Sequence, residues 1–180
     1  IERSLNGPRK ININNTKNAS IVELAKLVPT QIITTDSYKI FHEGPKIRRR
    51  FLDKGVFHVN PSFITHWKNY HKALKQRNAA IKMKCNKEEI TNWDSTLISE
   101  GNEIIKLRYE YICRLKPIIN KLSTDLLPNL PEISIVLDQG WSESYSLEEI
   151  LSRNYYIDYK AGYTKQGPHR SDLIITTKIL

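Results

Sequence analysis

Basic side chains are the residues of this sequence whose types and spacing best suit a chemical role. Lys46 is followed closely by three consecutive arginines, and lysines then recur along the next predicted helix at Lys68, Lys72, Lys75 and Lys82. Successive helical residues project about 100° apart, so three adjacent arginines cannot all point into one core. The lysines fall on one outer stripe. A stripe of ammonium groups contacts backbone phosphates without reading bases.

The charge of the chain is concentrated in the same region. The 180 residues carry a net charge of +9, from 28 Lys and Arg against 19 Asp and Glu. Residues 46–87 hold 12 basic residues, opposed only by Asp53. Such an excess attracts polyanions, because each cation near a phosphate releases condensed counterions. A solvated helix face has the same composition, so charge alone leaves both nucleic-acid binding and a merely solubilising surface open.

Signatures of several other functions are missing from these 180 residues. No pair of glycines has the G-x-x-x-x-G-K-[ST] spacing of a phosphate-binding loop. The five histidines show no metal-ligand spacing, and Cys85 has no identifiable activating base. No apolar run approaches the roughly 20 residues of a membrane span. We therefore expect no catalytic centre, no metal site and no membrane insertion from these residues.

Two long helices are predicted to position the basic residues. The first should begin at Asn60 and Pro61 and run for about 24 residues, and a polar break at residues 85–89 separates it from the second. Two helices with matching apolar seams and a short connection fold back on each other as an antiparallel hairpin. The seam residues are, in the first helix, Phe63, Trp67, Tyr70, Leu74 and Ile81 and, in the second, Trp93, Leu97, Ile104, Leu107, Tyr111, Leu115, Ile118 and Leu122.

Arg77 falls on the first seam. A buried guanidinium is tolerated only when it is paired, so we expect Arg77 to contact a carboxylate or backbone oxygens.

Shorter elements flank the helical hairpin, and their order predicts an α+β fold with a helical domain inserted between sheet-containing segments. The chain begins at Ile1 without an initiator Met, which predicts a piece of a longer protein. The predicted flanking elements are a hairpin around Asn6 and Gly7, a helix from the capping box of Ser20 and Glu23 to Pro29, a strand at 30–34, a turn capped by Asp36 and ended at Gly44, a strand at 132–138, a helix from Ser146 to about Lys160, and a strand at 172–177.

Three stretches of the sequence resemble one known family. They are TTDSYKIFHEGPKIRRRFLD at 34–53, LKQRN at 74–78 and GPHRSD at 167–172. Their order and spacing are similar to those of the RecF family of DNA replication and repair proteins, and the resemblance covers essentially the whole chain. Thr35 stands where the family usually has proline, and Glu43 where it usually has a small residue.

The resemblance implies an ATPase head of the ABC/SMC type, of which this chain holds a middle part. Residues 1–44 and 162–180 would belong to the head lobe, 45–130 to a helical arm domain, and 131–161 to a strand and helix that complete the arm domain. ATP and magnesium would bind the longer protein, because its phosphate loop and signature loop lie outside these residues. The chain alone is then expected to be non-catalytic.

The resemblance also implies partners and a location. The full-length protein would form an ATP-dependent homodimer and bind duplex DNA and gapped DNA. It would help the mediators RecR and RecO to load recombinase in recombinational repair and the SOS response. Its location would be the cytoplasm, at the nucleoid, and it would not bind membranes.

Two groups of site residues follow from the resemblance. The candidates for DNA contact are Lys46, Arg48, Arg49, Lys68, Lys72 and Lys75. The candidates for positions near the nucleotide are Asp36, His169, Arg170 and Asp172. A different class of function remains open at this point: the helical hairpin could be a protein-interaction arm that docks a recombination mediator, with the lysines serving only solubility.

Overall fold

The computed structural model describes residues 11–13, 20–30, 32–126, 128–129 and 131–177. The chain divides into two compact units, Ile1–Ser37 and Tyr38–Leu180. Its elements are, in chain order, α1 (Ile21–Leu27), a 3₁₀ turn (Thr35–Tyr38), α2 (Lys39–His42), α3 (Pro45–Val59), α4 (Phe63–Lys82), α5 (Lys87–Thr91), α6 (Asp94–Leu126), β1 (Ile133–Asp138), α7 (Leu147–Arg153), α8 (Tyr155–Ala161), a second 3₁₀ turn (Pro168–Arg170) and β2 (Asp172–Thr177).

Helix α1 confirms the first capping box. Ser20 Oγ accepts a hydrogen bond from the Glu23 amide at 3.2 Å, and Glu23 Oε2 accepts one from the Ser20 amide at 2.6 Å. These two bonds satisfy donors that the first turn of a helix leaves unpaired. The helix ends at Leu27, just before the predicted stop at Pro29.

A strand and a hairpin were also predicted in the first unit. The strand predicted at 30–34 is wrong for the described residues 30 and 32–34, which adopt no strand. Ile32 and Ile33 are both exposed there, so these β-branched side chains have no packed surface to support a strand. The hairpin predicted around Asn6 and Gly7 lies outside the described residues.

The 3₁₀ turn at Thr35–Tyr38 corrects the predicted cap at Asp36. Thr34 Oγ1 accepts a hydrogen bond from the Asp36 amide at 3.3 Å, so Thr34 is the capping residue. Asp36 lies inside the first turn. A threonine hydroxyl commonly accepts a hydrogen bond from the amide two residues later. A prediction from sequence can therefore assign the cap to Asp36 when the capping residue is Thr34.

Helices α4 and α6 form the predicted antiparallel hairpin. His66 Nδ1 lies 2.7 Å from Glu100 Oε2, whereas Arg77 Nε lies 2.7 Å from Asp94 Oδ1. Residue numbers thus rise along α4 as they fall along α6, which confirms the antiparallel arrangement. Helix α4 begins at Phe63, two residues later than predicted.

The hairpin departs from the prediction at the start of α4, at the connection and at the end of the α6 seam. In the connection, the short helix α5 occupies part of the break predicted at 85–89, and Trp93 lies just before α6. Asn60 Oδ1 accepts hydrogen bonds from the amide and hydroxyl of Ser62, which holds the preceding residues in a turn. On α6, the buried seam includes Leu97, Ile104 and Leu107, but Ile118 and Leu122 are 54% and 51% exposed. The regular spacing of apolar residues in the sequence therefore continues beyond the part of α6 that is packed against the core.

The sheet consists of β1 and β2, both predicted and both confirmed. They pair antiparallel with Ile133 opposite Thr177 and Asp138 opposite Asp172. Helix α6 packs against β1, and α3 packs against β2. Segments before and after the hairpin therefore meet around one core, and the α+β class with a helical hairpin is confirmed.

The region between the strands contains a second capping box, formed by Ser146 and Glu149, which confirms the start of α7. One helix was predicted to run on to about Lys160, but two short helices are present because Asn154 leaves the helical conformation between them. The side-chain Nδ2 of Asn154 donates to Gln166 Oε1 at 2.5 Å, which ties this break to the following loop. None of the helices in the described part of the chain combines the length and apolar character that crossing a bilayer requires.

Candidate nucleic-acid interface

The lysines of α4 lie where the predicted stripe requires them. Its buried face carries Phe63, Tyr70 and Ile81, and the lysines project away from it. All four are exposed, and within the described residues none has a hydrogen-bond or ion-pair partner: Lys68, Lys72, Lys75 and Lys82. An ammonium group without a carboxylate partner keeps its charge available for a polyanion.

The basic run of α3 separates into exposed and partly buried members. Pro45 occupies the first turn, where its missing amide hydrogen leaves no intrahelical bond unmade. Lys46 and Arg50 are exposed and have no hydrogen-bond or ion-pair partner among the described residues. Arg48 and Arg49 are partly buried. The three consecutive arginines thus have different environments, as helical geometry predicts: Arg48 and Arg49 are partly buried and Arg50 is exposed.

Arg48 forms hydrogen bonds and an ion pair within the fold. Its Nε and Nη2 donate to the two carboxylate oxygens of Asp172 at 2.7 and 2.8 Å. Its Nη1 donates to the carbonyl oxygens of Ile40 and Glu43 at 3.2 and 2.8 Å. The Asp172 carboxylate raises the pKa of Arg48 above its usual value. Because all three guanidinium nitrogens have partners inside the fold, Arg48 is not expected to contact phosphate.

Arg49 lies beside the buried Arg108. Its Nη1 donates to the Ser171 carbonyl oxygen at 2.6 Å. Burial, with a contribution from the Arg108 guanidinium, lowers the pKa of Arg49 from its ordinary value. Arginine still stays protonated at neutral pH because that ordinary value is so high. Arg49 therefore contributes a partly shielded positive charge.

Arg108 is a buried cation that the sequence analysis missed. Its guanidinium binds both oxygens of Asp53 at 2.8 and 3.0 Å, and donates to the Pro168 carbonyl and the Ser171 hydroxyl at 2.8 Å each. The available signal was an arginine next to Leu107 on the apolar side of α6. The Asp53 carboxylate, the single acid in the basic segment, is thereby neutralised.

A cleft of about 570 Å³ opens between α3 and α4, and we call it the α3–α4 cleft. Among the described residues, its lining comprises five cationic residues, one acid, four apolar residues and two histidines. The lining residues are Lys46, Arg49, Arg50, Asp53, Lys54, Phe57, Phe63, Ile64, Trp67, His71, Arg108 and His169. Sequence reasoning placed Trp67 and Phe63 in a seam, and it missed this cleft because the two helices that form it are brought together only by the fold.

The histidines of the cleft are neutral at pH 7. Burial, together with the cations Arg108 and Arg49, lowers the pKa of His71. The His71 ring packs against Trp67 with ring centres 4.1 Å apart. Burial also lowers the pKa of His169 to about 4. The positive charge of the cleft therefore comes from lysine and arginine and not from histidine.

His169 uses both ring nitrogens in the fold. Its Nε2 lies 3.0 Å from the Thr164 carbonyl oxygen, which can only accept, so Nε2 carries the hydrogen. Its Nδ1 then accepts the hydrogen bond from the Tyr70 hydroxyl at 2.8 Å. Burial raises the pKa of Tyr70, which keeps that hydroxyl protonated. These bonds join α4 to the turn before β2.

The four residues predicted near a nucleotide do not form one group within either unit. His169, Arg170 and Asp172 lie together at the start of β2, where Arg170 stacks over the Tyr163 ring at 5.3 Å. Asp36 belongs to the first unit. Asp172 is paired with Arg48 as described above. A nucleotide role for these four residues stays a prediction.

The pairing predicted for Arg77 is confirmed. This side chain is fully buried, and it contacts Asp94 at 2.7 Å, Asp158 at 2.8 Å and the Thr164 hydroxyl at 2.7 Å. Its Nη2 has no hydrogen-bond partner among the residues that the structure describes. Thr164 also donates to Asn78 Oδ1 at 2.8 Å. The motif at 74–78 thus organises the connected end of the hairpin, where α4 leads into α5 and α6.

Comparisons with curated proteins and with solved structures find relatives of the same kind. No model of a known protein family matches the sequence. The chain is 38% identical over 180 residues to the DNA replication and repair protein RecF of Coxiella burnetii, covering all of this chain and 50% of that protein. To the RecF of Pseudoalteromonas translucida it is 39% identical over 175 residues, covering 96% of this chain and 48% of that protein.

Solved structures extend the similarity to the fold. A structure of the recombination mediator protein RecF with ATP, described as part of the RecFOR pathway, matches 97% of this chain with a TM-score of 0.84 and 26% sequence identity. A second RecF structure, with ATPrS, matches with a TM-score of 0.83. The chain spans about half the length of these relatives and of the solved structures.

Proposed function

Because this chain belongs to the RecF family of DNA replication and repair proteins, we propose that its α3 and α4 surface binds the phosphate backbone of duplex DNA beside single-stranded gaps. The proposed contacts are Lys46, Arg49, Lys68, Lys72 and Lys75.

One observation carries this proposal. The α4 lysines and Lys46 are exposed and have no partner among the described residues, while the arginines that are paired lie deeper in the fold. Point charges on long flexible side chains bind phosphate oxygens regardless of base sequence. The surface therefore suits backbone contacts that position a protein on DNA without selecting a site.

The rest of the proposed function belongs to the longer protein. Its relatives include RecF structures with ATP and ATPrS, which supports ATP binding by the longer protein. Magnesium binding and dimerisation around the nucleotide are part of the same proposal. In that setting the helical hairpin would hold DNA at the nucleoid while RecR and RecO help to load recombinase during repair and the SOS response. Asp36, His169, Arg170 and Asp172 stay candidates for the nucleotide side of the same protein.

Charge reversal tests the proposed surface. A variant combining Lys68→Glu, Lys72→Glu and Lys75→Glu should lose at least about tenfold in affinity for a labelled duplex at low salt, because it replaces three phosphate contacts by repulsion. A matched control, Lys116→Glu with Lys121→Glu and Lys160→Glu, changes the net charge equally at exposed positions outside α3 and α4. Equal losses in the two variants would contradict the proposal, because they would reflect overall charge alone.

A protein-interaction arm remains the second candidate, and one observation favours it. Ile118, Leu122 and Leu126 are exposed at successive fourth positions of α6, which makes an apolar stripe. Such a stripe suits a docked mediator better than it suits DNA. Reversal of the α4 lysines with duplex binding unchanged and mediator binding retained would support this candidate over DNA binding.

A further inference from the structure

The α3–α4 cleft has two walls of different chemistry. Helix α3 contributes three cations spaced four residues apart, which we call the α3 row: Lys46, Arg50 and Lys54. Residues at this spacing lie on one face of a helix, so the α3 row extends about 12 Å along α3. Helix α4 contributes apolar side chains to the same space, among them Ile64 and Trp67. A ligand in the cleft therefore meets positive charge on one side and apolar surface on the other.

The cationic wall is not neutralised from within the cleft. Asp53 is the one acid that lines the cleft among the described residues, and Arg108 binds both of its oxygens at 2.8 and 3.0 Å. Lys46 and Arg50 are exposed and have no ion-pair partner in the part of the chain that the structure describes. His71 is neutral because burial lowers its pKa. A ligand that carries carboxylates would therefore complement this wall.

The apolar wall suits an inserted side chain more than it suits stacked planar rings. The His71 ring packs against the Trp67 ring, with ring centres 4.1 Å apart and ring planes tilted by 47°, and it occupies that face of the indole. Phe63 is 2% exposed, so its ring offers almost no surface to a ligand. Ile64 is partly exposed and has no flat face. A single apolar side chain can pack among such groups, whereas planar rings stack best on an open aromatic face.

We propose that the α3–α4 cleft binds an acidic amphipathic helical segment of a partner protein, with carboxylates against the α3 row and an apolar side chain against Ile64 and Trp67. A docked helix contacts its groove through residues at i, i+3, i+4 and i+7. Two carboxylates four residues apart on such a helix repeat at the interval of Lys46 and Arg50, so each can meet one cation.

This surface is distinct from the two already proposed. Duplex DNA binding requires positive charge and makes no use of the apolar wall. The apolar stripe of α6, at Ile118, Leu122 and Leu126, shares no residue with the lining of the cleft among the described residues. The inference therefore goes beyond the duplex proposal and does not depend on it.

The first test compares two labelled synthetic peptides of equal charge. Each has about 12 residues, which at about 1.5 Å per helical residue exceeds the length of the α3 row. One peptide carries glutamates at intervals of four residues on one side and a phenylalanine on the opposite side, and the second has alanine in place of the phenylalanine. In fluorescence anisotropy with the full 180-residue chain, the phenylalanine peptide should bind at least about tenfold tighter, because its ring leaves water on binding. Equal affinity, or no measurable binding of either peptide, would overturn the proposal.

Competition separates a protein partner from nucleic acid. An oligothymidine with as many negative charges as the phenylalanine peptide should displace the labelled peptide at least about fivefold less effectively than the unlabelled peptide does, because planar bases do not fit beside the packed Trp67 ring. Displacement by oligothymidine at an equal or lower concentration would overturn the proposal, because the cleft would then select nucleic acid.

Variants of the apolar wall locate the anchoring side chain. Ile64→Gln places a polar amide in this wall with little change in volume, so it should reduce the preference for phenylalanine over alanine to less than about twofold. The control, Ile157→Gln, makes the same change at a half-exposed position of α8 and should leave the preference intact. Survival of the preference in Ile64→Gln with a wild-type circular dichroism spectrum, or its loss in Ile157→Gln, would overturn the site.

A variant of the cationic wall tests the carboxylate contacts at an exposed residue, where folding is not at risk. Arg50→Glu should weaken binding of both peptides by at least about tenfold, because it replaces attraction by repulsion at the α3 row. Lys116→Glu makes a comparable change of charge at an exposed position of α6, and it should weaken them by less than about twofold. Equal weakening by the two variants would overturn the proposed contacts.

The reversed α4 lysines separate this site from the duplex surface. Lys68, Lys72 and Lys75 are not among the described residues that line the cleft. Their combined reversal should therefore remove duplex binding and keep the preference for the phenylalanine peptide. Loss of that preference, with a wild-type circular dichroism spectrum, would overturn the peptide site, whereas unchanged duplex binding would overturn the duplex proposal alone.

Discussion

Side chains of the same charge have two different roles in this molecule. Arg48, Arg77 and Arg108 each bind carboxylates through more than one nitrogen or oxygen contact, and they lie partly or fully inside the fold. The lysines of α4 bind no carboxylate among the described residues. The planar fork of arginine suits bidentate pairing, whereas lysine is a flexible, strongly hydrated point charge. Counting both as one basic patch overstates the surface that is available to DNA.

Arg48 and Arg50 give a direct comparison of the two roles. Arg48→Ala leaves the Asp172 carboxylate and two carbonyl oxygens without their donor, so it should lower the free energy of unfolding by about 1–3 kcal/mol. Arg50→Ala removes an exposed side chain, and its effect should stay within about 0.5 kcal/mol. Urea denaturation measures both. Similar losses in the two variants would mean that the Arg48 pair contributes nothing specific to stability.

His169 predicts a dependence of stability on pH. Burial lowers its pKa to about 4 in the folded state, while an unfolded histidine titrates near 6.5. The unfolded state therefore binds the proton first, and stability falls as pH decreases from about 6.5 towards 4. Between about pH 7 and pH 5 this histidine alone should cost about 2 kcal/mol.

The variant His169→Gln isolates this contribution. Glutamine carries an amide donor and does not titrate, so the difference in unfolding free energy between the two pH values should shrink by about 2 kcal/mol relative to wild type. Denaturation curves at both pH values give the comparison. An unchanged pH difference would contradict a neutral, buried His169.

At the level of elements, the fold depends on a close approach of two loops beside the strands. The Gly167 amide donates to the Gly140 carbonyl oxygen at 3.3 Å. Gly140 has a φ of +96°, in the region that favours glycine, and a Cβ there would meet backbone atoms of residues 167, 170 and 171. The turn that carries His169 is thus held against the end of β1.

Substitutions at two glycines test that contact. Gly140→Ala should lower the free energy of unfolding by about 2–4 kcal/mol, because a left-handed backbone and a backbone clash act together. Gly44→Ala is the control: Gly44 has a φ of −68°, and a Cβ there has no neighbour within 4 Å. Its effect should stay below about 1 kcal/mol, the cost of replacing the N-cap glycine of α3 by alanine. Thermal unfolding that ranks the two variants in the reverse order would contradict this arrangement of the loops.

The elements of this fold could be predicted where a local signal determines them. The capping boxes at Ser20 and Ser146 and the apolar period of α4 and α6 each act within a few residues, and the structure confirms the helices they predict. Elements that depend on distant partners were less predictable. The β-branched residues at 30–34 indicated a strand, but Ile32 and Ile33 have no packed surface in the described part of the chain.

The candidate site also contains some features that could be predicted from the sequence and others that could not. The exposure of Lys68, Lys72 and Lys75 follows from helical spacing alone, and it could be read from the sequence. The pairing of Arg48 with Asp172 joins residues 124 positions apart. That of Arg108 with Asp53 joins residues 55 positions apart. Contacts of this kind decide which cations are used inside the fold, and no local pattern reports them.

At the scale of the whole chain, the distribution of charge supports a binding surface more than a solubilising one. The basic residues are concentrated between 46 and 87, and the acids of residues 88–180 include the internal partners of Arg48 and Arg77. The paired charges cancel inside the fold, and four lysines without a partner among the described residues share the exposed face of α4. A surface that served solubility alone would need no such separation of paired and unpaired cations.

The dependence of duplex affinity on salt tests the central claim most directly. The logarithm of the association constant should fall linearly with the logarithm of salt concentration between roughly 50 and 200 mM, with a slope of about −0.9 per phosphate contact. The Lys68, Lys72 and Lys75 reversal should make that slope shallower by about 3, and the control reversal of Lys116, Lys121 and Lys160 should leave it unchanged. Identical slopes in wild type and the α4 variant would contradict the account.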